Sequence, residues 1–210
     1  MAKGYWIGRV DVRNEEGYKS YSAANPPIFG KFGGRFLVRA GRYECVEGAS
    51  HPRNVVIEFA DYATALACYR SPEYQANIKV RQPHASADVV IAEGYDGPQP
   101  PQSGVVPPAS PRKGYWVVQT DVTDAEAFKA YVAALLPPVG KFGGRYLVRG
   151  GAREAPEGEP RSRTPLLEFP SFEAAVACYH SPDYAAVKKL RRGNAEVDFV
   201  IAEGYDGPQP

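Results

Sequence analysis

The chain has 210 residues, 44% of them hydrophobic, and its 25 lysines and arginines nearly balance 24 aspartates and glutamates. That length allows one or two domains with cores of their own, and a near-neutral chain without a basic run lacks the electrostatic footprint of a nucleic-acid or anionic-membrane binder. Three cysteines cannot all pair and no apolar stretch reaches membrane-spanning length, so the expectation is a cytoplasmic chain with reduced thiols and neither nucleic acid nor membrane as partner.

Residues 4–12 (GYWIGRVDV) are aromatic and β-branched and predict a strand. Tyr18 and Tyr21 mark a helix face expected to end before Pro26-Pro27, since the residue preceding a proline disfavours the helical region. Gly33-Gly34 supply a turn into a second strand, Arg35 to Arg42, and a polar loop bearing glycine and proline leads to a third, Val55 to Phe59. A helix opening at Asp61 carries Ala65, Leu66 and Tyr69. It is interrupted by Ser71-Pro72-Glu73-Tyr74, where serine as N-cap, proline as first residue and an acid in the first turn restart a helix. Residues 88–93 close the unit as a fourth strand.

Everything then recurs 110 positions later. Lys31-Phe32-Gly33-Gly34-Arg35 returns as Lys141-Phe142-Gly143-Gly144-Arg145, and IAEGYDGPQP at 91–100 returns unchanged at 201–210. The second copy has strands at 114–122, Arg145 to Arg149, Leu166 to Phe169 and 198–203. Its helix face is Phe128, Tyr131, Val132 and Leu135, with Thr123 and Glu126 in capping-box spacing and Pro137-Pro138 as the stop, and it restarts at Ser181-Pro182. A constant offset of domain length predicts two globular modules, 1–95 and 114–205, joined by a proline-rich linker, 96–113, and followed by a proline-containing tail, 206–210. The order βαββαβ is ferredoxin-like, an α+β arrangement with helices on one face of an antiparallel sheet. The open faces are expected to pack on each other, a pseudo-dimer within one chain, with further self-association left open.

Gly-Gly-Arg-Phe (33–36) or Gly-Gly-Arg-Tyr (143–146), Glu58-Phe59 or Glu168-Phe169-Pro170, the two Ser-Pro-acid-Tyr runs, Arg81 or Arg191, and Glu93-Gly94 or Glu203-Gly204 together resemble the domain-of-unknown-function family numbered 1330, in the dimeric α+β barrel superfamily. The resemblance covers both copies and implies two sheets face to face around a barrel cavity. It implies little about reaction, because that superfamily includes cofactor-free oxygenases, haem enzymes, lactone isomerases and proteins without known activity.

Strand alternation assigns the candidate site. Glu58 and Glu168 are acids embedded in apolar strands. Arg39 and Arg149 share a strand face with Arg35 and Arg145; Tyr5 and Arg9 share one matched by Tyr115 and Gln119. If their apolar neighbours face the helices, these groups line the barrel interior, with Glu58 or Glu168 as general base and the arginines binding a substrate carboxylate or enolate. The alternative role for the glutamates is an ion pair that fixes the sheet. Tyr21 and Tyr131 offer phenols to a ligand or belong to the core. Arg9 against Gln119 predicts unequal halves, with Arg9 and Arg39 near Glu58 and less positive field at Glu168. His51, His84 and His180 do not recur between copies and no metal-ligand spacing is present, so neither metal nor cofactor is expected. The resulting expectation is a cofactor-independent enzyme of isomerase, cyclase or lyase type acting on a small molecule. Its rival is a non-catalytic small-ligand-binding or assembly protein. A filled barrel with paired glutamates would favour the rival.

Overall fold

In the computed structural model, which describes residues 2–103 and 109–210, the first copy contributes β1 (Gly4–Val12), α1 (Glu15–Lys31), β2 (Arg35–Arg39), β3 (Tyr43–Glu47), β4 (Arg53–Phe59), α2 (Tyr62–Arg70), α3 (Pro72–Arg81) and β5 (Ala85–Glu93). The second contributes β6 (Gly114–Val122), α4 (Ala125–Lys141), β7 (Arg145–Val148), β8 (Arg153–Glu157), β9 (Leu166–Phe169), α5 (Phe172–His180), α6 (Pro182–Lys189) and β10 (Ala195–Glu203). They form two five-stranded antiparallel sheets, ordered β2-β4-β1-β5-β8 and β3-β10-β6-β9-β7. Each sheet therefore has the ferredoxin-like four-strand core of one copy and an edge strand lent by the other.

The lent strands were expected to be loop. Their sequences, YECVE and REAPE, stay largely exposed or half-buried and show no apolar alternation of their own. Pro156 in β8 fits a strand at a sheet edge, where its missing N–H costs no ladder bond. What makes them strands is a partner far away in sequence: Ile91 opposite Glu154 and Ala92 opposite Arg153, and likewise Ile201 opposite Glu44 and Ala202 opposite Tyr43.

The helix-covered face of each sheet carries an aromatic core, with Trp6, Phe29, Phe59 and Tyr74 in the first copy and Trp116, Phe169, Tyr179 and Tyr184 in the second. Between the sheets lies a third cluster drawn from both copies, in which Tyr5, Ile7, Val56 and Val90 meet Tyr115, Val117, Leu166 and Val200. This shared apolar layer closes the two modules into an intramolecular α+β barrel. Apolar burial on that scale, at roughly 25 cal/mol per Å², is the main force holding them face to face.

The prolines do not stop the first helix of either copy. Pro26 and Pro27 lie inside α1, and Pro137 and Pro138 inside α4. Ile28 and Phe29, and likewise Val139, are buried just beyond them, so packing of the last turn onto the sheet outweighs the lost backbone bonds. At the start of α4 the N-cap is Asp124 rather than Thr123; its carboxylate accepts from the N–H groups of Glu126 and Ala127, both at 3.0 Å. Ser71 and Ser181 cap α3 and α6 as expected.

The duplicated IAEGYDGPQP run has a structural role in the opposite module. Tyr95 N–H donates to Leu147 O at 2.8 Å, and the Gln99 side chain accepts from Tyr146 N–H at 2.7 Å while donating to Tyr146 O at 3.1 Å. The C-terminal tail does the same to β2 through Tyr205, Leu37, Gln209 and Phe36. A glutamine amide, with one acceptor and one donor in a plane, replaces the backbone of a missing strand and covers an edge that would otherwise invite pairing with another chain.

Residues 1–103 expressed alone are expected to form a homodimer, because β5 lacks its neighbour and only β3 of a second copy can supply one. Light scattering coupled to size exclusion checks this, and a folded monomer would contradict the exchange.

Candidate functional site

Among the described residues the space between the sheets is packed with apolar side chains, and the polar groups expected there collect at the two ends. At one end, the register sets Tyr5 opposite Glu58 and Tyr115 opposite Glu168. Tyr5 Oη donates to Glu58 at 3.2 Å and Tyr115 Oη to Glu168 at 3.1 Å. Burial first, and the facing carboxylates second, push both phenols above their ordinary value. The two acids differ in the direction opposite to expectation. Glu168, with a side chain 8% exposed, is gripped by Lys113 at 2.7 Å and Arg145 at 2.9 Å, whereas Glu58, 23% exposed, has Lys3 only at 3.9 Å. The more positive field is at Glu168.

The reason is that neither Arg9 nor Arg39 lies beside Glu58. Arg9 pairs in register with Asn54, four residues along β4 from Glu58. Its guanidinium lies at the far end of the barrel, 2.8 Å from Asp88 of its own copy and 3.4 Å from Asp198 of the other. Gln119, its counterpart, accepts from Arg161 N–H at 3.1 Å. Arg161 in turn ties Asp121, Glu196 and Asp198 together, while His51 occupies the equivalent place in the first copy, 2.7 Å from Asp11.

Arg39 and Arg149 are turned away by β-bulges. The ladder slips between Phe36 and Val38, and again between Tyr146 and Val148. As a result Leu37 and Val38 both enter the inter-sheet core and alternation resumes one residue late. Arg39 then lies over the rings of Phe36 and Tyr205 at 4.7 and 5.5 Å and donates to Tyr205 Oη; Arg149 lies over Tyr146 and Tyr95 at 4.8 and 5.4 Å and donates to Tyr95 Oη. Both face the helix side of their sheets.

That side holds the cavities. A pocket of about 340 Å³ lies between α4 and the second sheet, and one of about 370 Å³ between α1 and the first. The opposite copy builds part of each. Glu47 of β3 pairs with Arg191 and accepts from Tyr179 Oη at 2.7 Å; Glu157 of β8 pairs with Arg81. Arg191 and Arg81 are buried, line their pockets, and lie over Tyr131 and Tyr21, whose hydroxyls meet those of Tyr184 and Tyr74 at 3.2 and 3.1 Å. Tyr21 and Tyr131 are thus both core and pocket wall. The glutamate partners were invisible in the sequence because they arrive on the exchanged strands.

The haem chemistry of some barrel proteins needs an axial donor of histidine, cysteine, methionine or tyrosine type. No histidine, cysteine or methionine lines either pocket; of the tyrosines that do, Tyr131, Tyr21, Tyr74 and Tyr205 are engaged with other side chains, and burial pushes the Tyr18 and Tyr146 hydroxyls up, against the phenolate an iron would need. Among the described residues no three His, Cys, Asp or Glu side chains gather to hold a metal ion. These residues do not fit a haem.

A family model described as a domain of unknown function (DUF1330) matches the chain twice, over residues 3–95 and 113–205. No curated protein matches it. Among solved structures, an anthrone oxidase-like protein is 12% identical with a TM-score of 0.59, covering 100% of this chain and 95% of its own. A candidate monooxygenase from Fusobacterium nucleatum is 11% identical with a TM-score of 0.51, covering 99% of both. A chlorite dismutase from Candidatus Nitrospira defluvii is 8% identical with a TM-score of 0.51, covering 97% of this chain and 91% of its own. At these identities the likeness is one of fold.

Two stability outcomes follow from the barrel ends. Glu168→Gln should lower unfolding free energy by about 1–3 kcal/mol and Glu58→Gln by less, measured by urea denaturation; equal losses would contradict the unequal pairing. At the other end, burial would raise the Asp198 carboxyl, but Arg161, the Ala49 N–H and Arg9 outweigh it and hold it below its ordinary value of 3.8. A lowered carboxylate contributes stability above its unfolded value and loses it as pH falls through the folded one. Arg161→Gln should therefore flatten the acid limb of the melting temperature below about pH 4, and an unchanged limb would show that Arg161 does not hold Asp198.

Proposed function

The chain belongs along both copies to the DUF1330 family, and on that premise we propose that it binds a small organic anion with an apolar body in the helix-facing pocket of its second copy. The observation that carries this is a concave apolar wall beside cationic heads that lack carboxylate partners. Phe128, Val132, Leu135 and Leu167 line the cavity together with Arg149, Arg153 and Arg163. Among the described residues none of these three arginines is within ion-pair distance of an acid. The buried Arg153 Nε, Arg191 Nε and Thr164 Oγ1 have no hydrogen-bond partner. Orphaned buried donors are costly unless something accepts from them. A carboxylate offers several acceptor sites and suits a guanidinium, and the cavity is at the small end of the range for ligand pockets.

Binding rather than catalysis is favoured by what surrounds the site. No carboxylate lines this pocket, Glu47 is committed to Arg191 and Tyr179, and Glu168 belongs to the opposite face of the sheet, so proton abstraction from a bound ligand has no base at hand. Isomerase, cyclase or lyase chemistry by Glu58 or Glu168 would require substrate at the barrel mouth, where the interior is packed rather than hollow.

Titration calorimetry with naphthoate tests this. Arg149→Ala should weaken binding about 10-fold or more, the loss of one charge-assisted contact, and Leu135→Trp should abolish it by filling the cavity. Failure of naphthoate and simpler aromatic carboxylates to bind, or binding indifferent to both substitutions, would overturn the assignment.

A further inference from the structure

We infer that the pocket of the first copy is a second binding site of different selectivity, one that takes a small organic anion bearing hydroxyl groups. The inference rests on the walls of that pocket and holds whether or not the second copy's pocket is used. The two cavities are related by the duplication and of nearly equal volume, yet the residues their first helices present to the ligand space differ in one chemical direction, while on the sheet Thr120 of the second is matched by Val10 of the first. Where the second copy places Phe128, Val132 and Leu135 along α4, the first places Tyr18, Ser22 and Asn25 along α1. Behind them Val187 is matched by Asn77. A phenol, a hydroxyl and an amide thus stand in for a ring and two aliphatic chains.

The polar groups are installed rather than incidental. Asn25 and Asn77 are both more than nine-tenths buried, and Asn77 Nδ2 donates to Asn25 Oδ1 at 2.8 Å and to Tyr21 O at 3.1 Å. That clamp fixes the Asn25 amide at the pocket wall and leaves its Nδ2 hydrogens without an acceptor among the described residues. With both hydrogens of Asn77 spent in this clamp, Asn25 Nδ2 is the amide donor that faces the ligand space in place of the leucine of the other copy. The Tyr18 hydroxyl has no hydrogen-bond partner among the described residues, and burial holds it protonated, with a pKa pushed up to about 12. Ser22 Oγ spends its hydrogen on Lys19 O at 3.1 Å, leaving an oxygen that can only accept. The wall therefore presents phenol and amide donors and a hydroxyl acceptor, a set that a hydroxylated ring satisfies and a plain hydrocarbon leaves unpaired.

The anionic end is read by the same anchor as in the other copy. Arg39, the counterpart of Arg149, lines this pocket with its guanidinium held by Tyr205 and with no acid within ion-pair distance among the described residues. Deeper in the pocket wall, Arg81 is 2% exposed and its Nε has no partner. An arginine anchor with a polar wall selects a hydroxylated carboxylate; the same anchor with an apolar wall selects a bare one.

The chain carries two tryptophans, and each lines one pocket: Trp6 that of the first copy, Trp116 that of the second. Fluorine NMR of the full chain labelled with fluorotryptophan therefore reads the sites separately, with Trp116→Phe assigning the two resonances. Dihydroxybenzoate should shift the Trp6 resonance at concentrations at least 10-fold below those that move Trp116. Replacing the wall by its counterparts, Tyr18→Phe, Ser22→Val, Asn25→Leu and Asn77→Val together, should remove that response and let naphthoate shift Trp6 instead. As a milder pair that disturbs less of the core, Ser22→Val and Arg39→Gln should each weaken the dihydroxybenzoate response several-fold. The inference is overturned if dihydroxybenzoate moves neither resonance, moves Trp116 as readily as Trp6, or is unaffected by these substitutions. Loss of naphthoate binding at Trp116 alone would sink the reading of the second copy and leave this one standing.

Discussion

The exchange of β3 and β8 between copies is the constraint from which the rest of the structure follows. Because neither sheet is completed by its own module, each edge strand carries a glutamate into the other module's helix layer, and Glu47 and Glu157 neutralise the buried Arg191 and Arg81. A buried guanidinium without its carboxylate would be strongly destabilising. The exchange is thus chemically required as well as topologically observed. Those arginines then lie against Tyr131 and Tyr21 and form pocket wall. Each pocket is a product of both copies.

Fusion of the two copies also resolves a problem at the pseudo-twofold axis. Arg9 reaches the aspartates of both sheets, Asp88 at 2.8 Å and Asp198 at 3.4 Å. In a symmetric pair of modules a second arginine would enter the same buried space, and two guanidiniums in a low-dielectric interior repel. Gln119 removes that second charge while keeping a polar atom for the Arg161 backbone, and Arg161 supplies the displaced cation from a loop where solvent reaches it. A single chain can break symmetry in this way and a homodimer cannot.

What was legible in the sequence divides along the reach of each interaction. The 110-residue offset, the order of the strands and helices other than β3 and β8, the serine caps and the pairing of Glu168 with Arg145 are set within a few residues or by simple alternation. The misreadings share one cause, namely forces from outside the local window. A single bulge residue in β2 and β7 carried Arg39 and Arg149 from the expected barrel interior to the helix side. The edge strands YECVE and REAPE owe their conformation to partners in the other copy. The prolines of α1 and α4 were overruled by packing of Ile28, Phe29 and Val139. The polar residues of the strands point to a pocket inside the barrel, while the cavities lie between the sheets and α1 and α4, whose apolar periodicity looks like ordinary core.

The proline-rich tails connect these points. Tyr95 and Tyr205 each cross to the opposite module, where backbone bonds to Leu147 and Leu37 fix them and their hydroxyls accept from Arg149 and Arg39. Gln99 and Gln209 hold the next residues on the same edge strands. The repeated run therefore does two things at once: it shields an open sheet edge, and it aims an arginine that lines each pocket and keeps the same tyrosine partners in both copies. Because that aim depends on the tail's bonds rather than on α1 or α4, those helices are free to change the residues they present to the cavity without moving the anchor. A constant cationic anchor held by one copy's tail, facing a variable helical wall of the other, is a geometry in which duplication can separate two ligand preferences without rebuilding either site.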